Sequence, residues 1–274
     1  MREPHDTAAP RKRFQHKKSL GQNFLTSSVV PTWMCTAANL RPGELVFEIG
    51  PGTGRLTTAL LKAGATVIAV EADTRAVESL QGTFATEIAA GQLTLHHGDA
   101  KFITPESLKL PHLGFKVVAN IPYFLSGLLL RQTLQSTIQP TTLVFLMQKE
   151  LVARIARSEK ASLLSLGVKA FGVPRYIKTV SRGHFNPVPN VDSAILAVTD
   201  ITLGNFDDLP QTFFFSLLHL GLGKKRKQLL SNLSTEFERT TLSTLFTALH
   251  LPLDVRGEDL SLTAWLALAR GLQS

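Results

Sequence analysis

Three short stretches carry residues whose types and spacing could do chemistry. The first, FEIGPGTG, sets Gly50, Gly52 and Gly54 between a short apolar run and a helical pattern. Without Cβ atoms, such a backbone turns tightly and lets a ligand approach the N-terminus of the following helix. Glu71 ends the next apolar run, where a carboxylate can accept hydrogen bonds from both ribose hydroxyls of a nucleoside. The second stretch, HHGDA, places Asp99 after a third run, where it can accept from the exocyclic amine of an adenine ring. His96 and His97 are adjacent, so on a strand they face opposite sides; neither has a partner at metal-ligand spacing, and no metal site is expected.

The third stretch is VVANIPYFLSG, which ends a buried-strand pattern with Asn120, Ile121, Pro122 and Tyr123. An aromatic exocyclic amine is a poor nucleophile because its lone pair is delocalised into the ring. If the Asn120 side-chain oxygen and the Ile121 carbonyl accept its two hydrogens, the lone pair can turn toward an incoming methyl group. Pro122 has a fixed φ and no N–H, which holds the Ile121 carbonyl aimed outward. Tyr123 can stack on the base, worth about 1–3 kcal/mol by analogy with other base–aromatic contacts. The glycine loop and Glu71 fit a nicotinamide cofactor as well as S-adenosylmethionine. Spacing leans toward the latter, because Arg55 stands where the dinucleotide fingerprint G-x-G-x-x-G needs its third glycine.

The elements that must position these residues are legible from periodicity. ELVFEIG, TVIAVE, LTLHHGD, FKVVAN and TTLVFLMQ read as buried strands, with helical patterns between them and a helix from about Leu125 to Gln135. Strands apolar throughout and alternating with helices mean a parallel sheet covered on both faces. RYIKTVS and SAILAVTD add two strands, read as a hairpin at the sheet edge. After about Asp200, LPQTFFFSLLHLGLG, KKRKQLLSNLS, RTTLSTLFTALH and SLTAWLALARGLQ all read as helical. The expected architecture is α/β: a doubly wound, Rossmann-like domain over residues 19–200, a small all-helical C-terminal domain over 201–274, and a flexible basic arm over 1–18.

Charge is concentrated. Six Lys/Arg against two acids in residues 1–20, with Lys224, Lys225, Arg226 and Lys227, equal the whole formal charge of +8. Two local basic clusters are the footprint of phosphate-backbone contact. The single cysteine, Cys35, excludes an internal disulfide and fits a reducing compartment. The first residues have no apolar core of a secretory signal, and no run approaches a membrane span, so a cytoplasmic protein without membrane contact is expected.

NIPY, EIGPGTG and GDA at these separations resemble the ribosomal RNA adenine N6-dimethyltransferases, a SAM-dependent methyltransferase family, and the resemblance extends over most of the chain. KKSLGQNFL is similar to the family's N-terminal motif, in which the Asn23 and Leu25 positions contact S-adenosylmethionine. FNPVPNVDSA is similar to its late target-base motif, where Phe185 would be a second stacking surface opposite Tyr123. By the same resemblance Gly50, Gly52, Glu71, Asp99 and Asn120 bind the cofactor, and Lys224 to Lys227 contact RNA. The C-terminal segments resemble the bacterial enzymes that dimethylate two adjacent adenines near the 3′ end of small-subunit rRNA, implying a monomer acting on a partly assembled small subunit. The alternatives are a large-subunit rRNA adenine methyltransferase and an rRNA-binding assembly factor with little turnover. The chain departs from the family's pattern at Phe124 and Gly127, at Asn190 where lysine is common, and in a short segment over residues 154–167.

Overall fold

The computed structural model describes residues 23–224 and 226–273. The elements run β1 (Phe24–Leu25), α1 (Val29–Ala37), β2 (Leu45–Ile49), α2 (Arg55–Lys62), β3 (Thr66–Glu71), α3 (Thr74–Thr83), α4 (Ala85–Ala89), β4 (Leu93–His97) and β5 (Phe115–Asn120). They continue with α5 (Ser126–Gln135), β6 (Thr142–Gln148), α6 (Lys149–Ala156), α7 (Leu163–Lys169), β7 (Val173–Val180), β8 (Phe185–Asn186) and β9 (Ser193–Thr199). Helices α8 (Gln211–Leu222), α9 (Leu229–Leu233), α10 (Arg239–Ala248) and α11 (Leu262–Gln273) follow, with no strand after β9 among the described residues.

Seven strands form one sheet in the order β4-β3-β2-β5-β6-β9-β7. The β4 to β6 strands pair in parallel, and β9 and β7 add antiparallel at one edge. All seven strands expected from the sequence are present. Alternation sorts their side chains onto two faces. Phe47, Val117, Ala119 and Phe145 enter one buried cluster, while Val46, Val118, Val144 and Leu146 enter another. Strands with apolar residues on both faces are therefore explained by cover on both sides. The first cluster runs without a break through Leu209 and Phe214 to Phe246 and Trp265, so the C-terminal helices share the sheet's core.

Two elements differ from the sequence reading. The segment after Asp73 is two helices, α3 and α4, broken at Phe84, whose buried ring packs against the backbone of Gly54. The stretch KKRKQLLSNLS is helical only over Leu229–Leu233. Lys224, Arg226 and Lys227 form an exposed turn instead, closed by Lys227 N–H donating to the Lys224 carbonyl at 2.9 Å. Consecutive like charges disfavour a helix there, and Leu229 N–H is taken by the Val255 carbonyl at 2.8 Å. The basic arm over residues 1–18 and Lys225 lie outside the described residues. No helix among the described residues is long and apolar enough to cross a membrane.

Candidate active site

In a doubly wound sheet, ligands bind beyond the carboxyl ends of the strands where the strand order reverses. Here that point lies between β2 and β5. A crevice of about 260 Å³ opens there, walled by Asn23 and Phe24, by the loop after β2, by Glu71, by Gly98 to Lys101, and by Asn120 to Leu125. Asn23, Gly50, Gly52, Glu71, Asp99 and Asn120 to Tyr123, singled out on sequence, all line this one crevice.

The loop after β2 needs its glycines. Gly50, Gly52 and Gly54 have φ of 68°, 56° and 77°, in the left-handed region that side-chain-bearing residues rarely adopt. In front of Gly50 nothing lies within 4 Å of where a Cβ would be, whereas at Gly52 the Phe24 ring lies 2.7 Å away. One glycine thus leaves its space open, and the other cedes it to Phe24. Glu71, buried at the end of β3, fixes this loop. Its Oε2 accepts from Gly52 N–H at 2.9 Å and its Oε1 from Asp73 N–H at 2.9 Å. Each carboxylate oxygen keeps a second lone pair, so the group still has acceptors for a pair of ribose hydroxyls. These acceptors and the open space at Gly50 fit the nucleoside end of S-adenosylmethionine. Asp99 accepts from the Lys101 N–H at 2.9 Å and is paired with Lys101 Nζ at 2.9 Å.

At the end of β5, Asn120 Nδ2 donates to the Asn23 carbonyl at 3.0 Å. A carbonyl can only accept, so this bond fixes which end of the amide is which. The Asn120 Oδ1 is left as an acceptor without a protein partner among the described residues, on a side chain that lines the crevice. Ile121 N–H donates to the Leu146 carbonyl at 3.1 Å, anchoring the next peptide to β6, and its side chain is buried. Pro122 holds φ at −55° and opens a 3₁₀ turn over Tyr123–Leu125. Tyr123 is half-buried and its hydroxyl shares a 2.8 Å hydrogen bond with Ser193 Oγ. Burial raises its pKa above the ordinary value, the Ser193 bond opposes this and the Asp192 charge adds to it. The ring is therefore a neutral, edge-anchored platform.

Two of the expected site residues do not line the crevice. Leu25 and Phe185 are cross-strand partners in the β1–β8 ladder and are buried together in the second core cluster. Phe185 is only 2% exposed and is no wall of the crevice. Burying an isolated ring among Leu25, Val180 and Ile195 is more favourable than leaving it at an open mouth. These two residues hold β1 in place, and β1 carries Asn23 and Phe24 to the site.

Sequence reasoning assigned no role to four residues. Phe24 fills the space that Gly52 leaves, and Ser193 anchors Tyr123; both lie inside motifs already quoted. Phe124 lines the crevice with its ring 65% exposed. Glu48 lies beneath the glycine loop, 1% exposed, with Oε2 accepting from Thr57 Oγ1 at 2.7 Å and Oε1 without a partner among the described residues. Burial pushes its carboxyl up to about 8; the Thr57 bond opposes the rise, and the Glu71 charge adds to it. Lys224, Arg226 and Lys227 are exposed on the turn between α8 and α9 and do not line the crevice.

The model of the ribosomal RNA adenine dimethylase family matches residues 13–272. A ribosomal RNA small subunit methyltransferase A from Dehalococcoides mccartyi is 33% identical over 255 residues, covering 92% of this chain and 87% of its own length. One from Streptococcus sanguinis is 35% identical over 272 residues, covering 95% and 93%. Among solved structures, a dimethyladenosine transferase from Plasmodium falciparum aligns with a TM-score of 0.75 at 24% identity, over 89% of this chain and 95% of its own. The 23S rRNA methyltransferase ErmE aligns with a TM-score of 0.71 at 22% identity, over 92% and 100%. At such identities these two likenesses speak for the fold. The family match, spanning the crevice, the sheet that builds it and the C-terminal helices, is a different matter: the chain belongs to the ribosomal RNA adenine dimethylase family.

Proposed function

We propose that this chain transfers methyl groups from S-adenosylmethionine to N6 of two adjacent adenines near the 3′ end of small-subunit rRNA. The observation that supports the reading is the clamped Asn120 amide, which spends its Nδ2 on the Asn23 carbonyl and so keeps Oδ1 as an acceptor beside the crevice that the residue lines. Relatives named for the small subunit, at 33–35% identity over more than nine-tenths of the chain, support that choice of subunit.

Bound S-adenosylmethionine supplies a methyl group made electrophilic by its sulfonium sulfur. The chain's own residues bind and orient. Glu71 takes the ribose hydroxyls, Asp99 takes the adenine amine of the cofactor, and the backbone at Gly50 lets the ligand approach closely. On the other side, Tyr123 stacks on the target base. Asn120 Oδ1 and the Ile121 carbonyl accept the two N6 hydrogens, which turns the nitrogen lone pair toward the methyl donor. Catalysis is then positioning plus electrostatic alignment, with no strong base required. The target base leaves its stack, at a cost of about a few kcal/mol. Lys224, Lys225, Arg226 and Lys227 contribute sequence-independent phosphate contacts. The substrate is read as a partly assembled small subunit, met by a monomer in the cytoplasm.

The test is methyl transfer from labelled S-adenosylmethionine to separated small and large ribosomal subunits from cells lacking this protein, with modified bases mapped by mass spectrometry. Dimethyladenosine at two adjacent positions in small-subunit rRNA is the expected result. Label in large-subunit rRNA alone, or cofactor binding without transfer to either subunit, overturns it.

A further inference from the structure

Phe124 and Phe102 are the two phenylalanines that stand well out of the surface among the described residues, 65% and 78% exposed. Only Phe124 lines the crevice. Single exposed apolar side chains are ordinary, so the placement of this ring carries the argument. It follows Tyr123 directly in the 3₁₀ turn, where each residue advances about 120° around the axis. Tyr123 is also held by its bond to Ser193. Two side chains splayed in this way do not close on opposite faces of one base. They offer faces to two different bases. Phe185 is packed in the core and offers none.

We propose that Phe124 is the stacking surface for the nucleotide next to the target adenine. The proposal rests on the adenine-methylation reading above. Extruding one base uncovers a face of its neighbour in the strand, and a phenyl ring at the crevice mouth covers that face. Every base has a π-face, so this contact holds the RNA without reading sequence. With two adjacent target adenines, it keeps the second in place while the first reacts.

The test uses the full chain and small subunits reconstituted with a synthetic 3′-terminal rRNA segment, either intact or with an abasic residue on the 5′ or 3′ side of the target adenine. The variants are Phe124→Ala, Phe124→Trp and, as an exposed ring that does not itself line the crevice, Phe102→Ala. Phe124→Ala is expected to lower kcat/KM on intact particles about 5- to 150-fold, the range of one base–aromatic stack. Its S-adenosylmethionine affinity and melting temperature are expected to stay unchanged. On particles lacking the base on one side of the target, that loss is expected to vanish. Phe124→Trp and Phe102→Ala are expected to match the original chain on intact particles. Transfer by the original chain with no loss in Phe124→Ala, or with the same loss on all three RNAs, overturns the proposal alone. An equal loss in Phe102→Ala also overturns it. No transfer to any RNA by the original chain overturns the methylation reading and this proposal together.

Discussion

Replacing Asn120 with alanine removes two things at once, and the structure separates their sizes. The first is the Nδ2 bond to the Asn23 carbonyl at 3.0 Å, a partly buried neutral hydrogen bond worth about 1 kcal/mol net. For a chain of this length that lowers Tm by about 2–4 °C. The second is the Oδ1 acceptor aimed at the amine. Loss of one preorganised hydrogen-bonding group at a reacting centre costs about 10²–10³ in kcat. The cofactor's main contacts lie on Glu71, Asp99 and the glycine loop, so its affinity should change by less than about fivefold, the equivalent of one such bond. Single-turnover transfer at saturating RNA reads the chemical step, calorimetric titration reads cofactor binding, and a thermal melt reads the fold. Asn120→Asp adds a sharper arm: it keeps an acceptor but sets a carboxylate oxygen against the Asn23 carbonyl, so the side chain swings away and transfer stays low. Turnover within about threefold of the original chain in Asn120→Ala would refute the amine-aligning role, since threefold is far below the 10²-fold floor of the lost acceptor. Loss of cofactor binding equal to the loss of transfer would refute it equally, by making Asn120 a binding residue only.

Glu48 holds its proton in the folded chain up to about pH 8 but releases it near the ordinary carboxyl value when unfolded, so stability should fall as pH rises between those two values. Urea midpoints measured from pH 5 to 8 should slope downward, and Glu48→Gln should flatten the slope; an unchanged slope in that variant sinks the assignment. Gly52→Ala puts a methyl group 2.7 Å from the Phe24 ring at a φ of 56°, so it should weaken S-adenosylmethionine binding and destabilise the fold by about 1–3 kcal/mol. A titration and melt indistinguishable from the original chain would mean that the loop yields at no cost. Replacing Lys224, Arg226 and Lys227 together with alanine should leave the melt unchanged. The slope of log affinity for RNA against log salt should shrink by about two to three, and an unchanged slope would place the phosphate contacts elsewhere.

Much of this site was legible because periodicity and chemistry coincide along the chain. The strands ending at Ile49, Glu71 and Asn120 carry apolar residues on both faces, as cover on both sides requires, and each ends in or runs into a residue type suited to a ligand. What escaped depends on partners far away in sequence. Phe185 sits in a proline-rich segment with no strand pattern, and its burial is decided by Leu25 across a two-residue ladder too short for periodicity to register. The turn at Lys224 to Lys227 has helix-forming residues, but tertiary bonds from Leu229 to Val255 and from Asn232 Nδ2 to the Gly221 carbonyl, 2.8 Å, set its path. The break at Phe84 follows from contact with Gly54, again across the fold.

The bond between Asn23 and Asn120 has a consequence in time. Asn23 is brought to Asn120 by β1, and β1 pairs with β8, which is translated after six of the seven strands of the main sheet. A growing chain can therefore build the glycine loop and the Glu71 bracket early, while the amide at the end of β5 is still free to turn. Its Nδ2 bond to Asn23 is secured only once residue 186 has emerged and the ladder can close. The order of synthesis thus lets the Gly52–Glu71 bond form before the contact between Asn23 and Asn120 can be locked by its ladder.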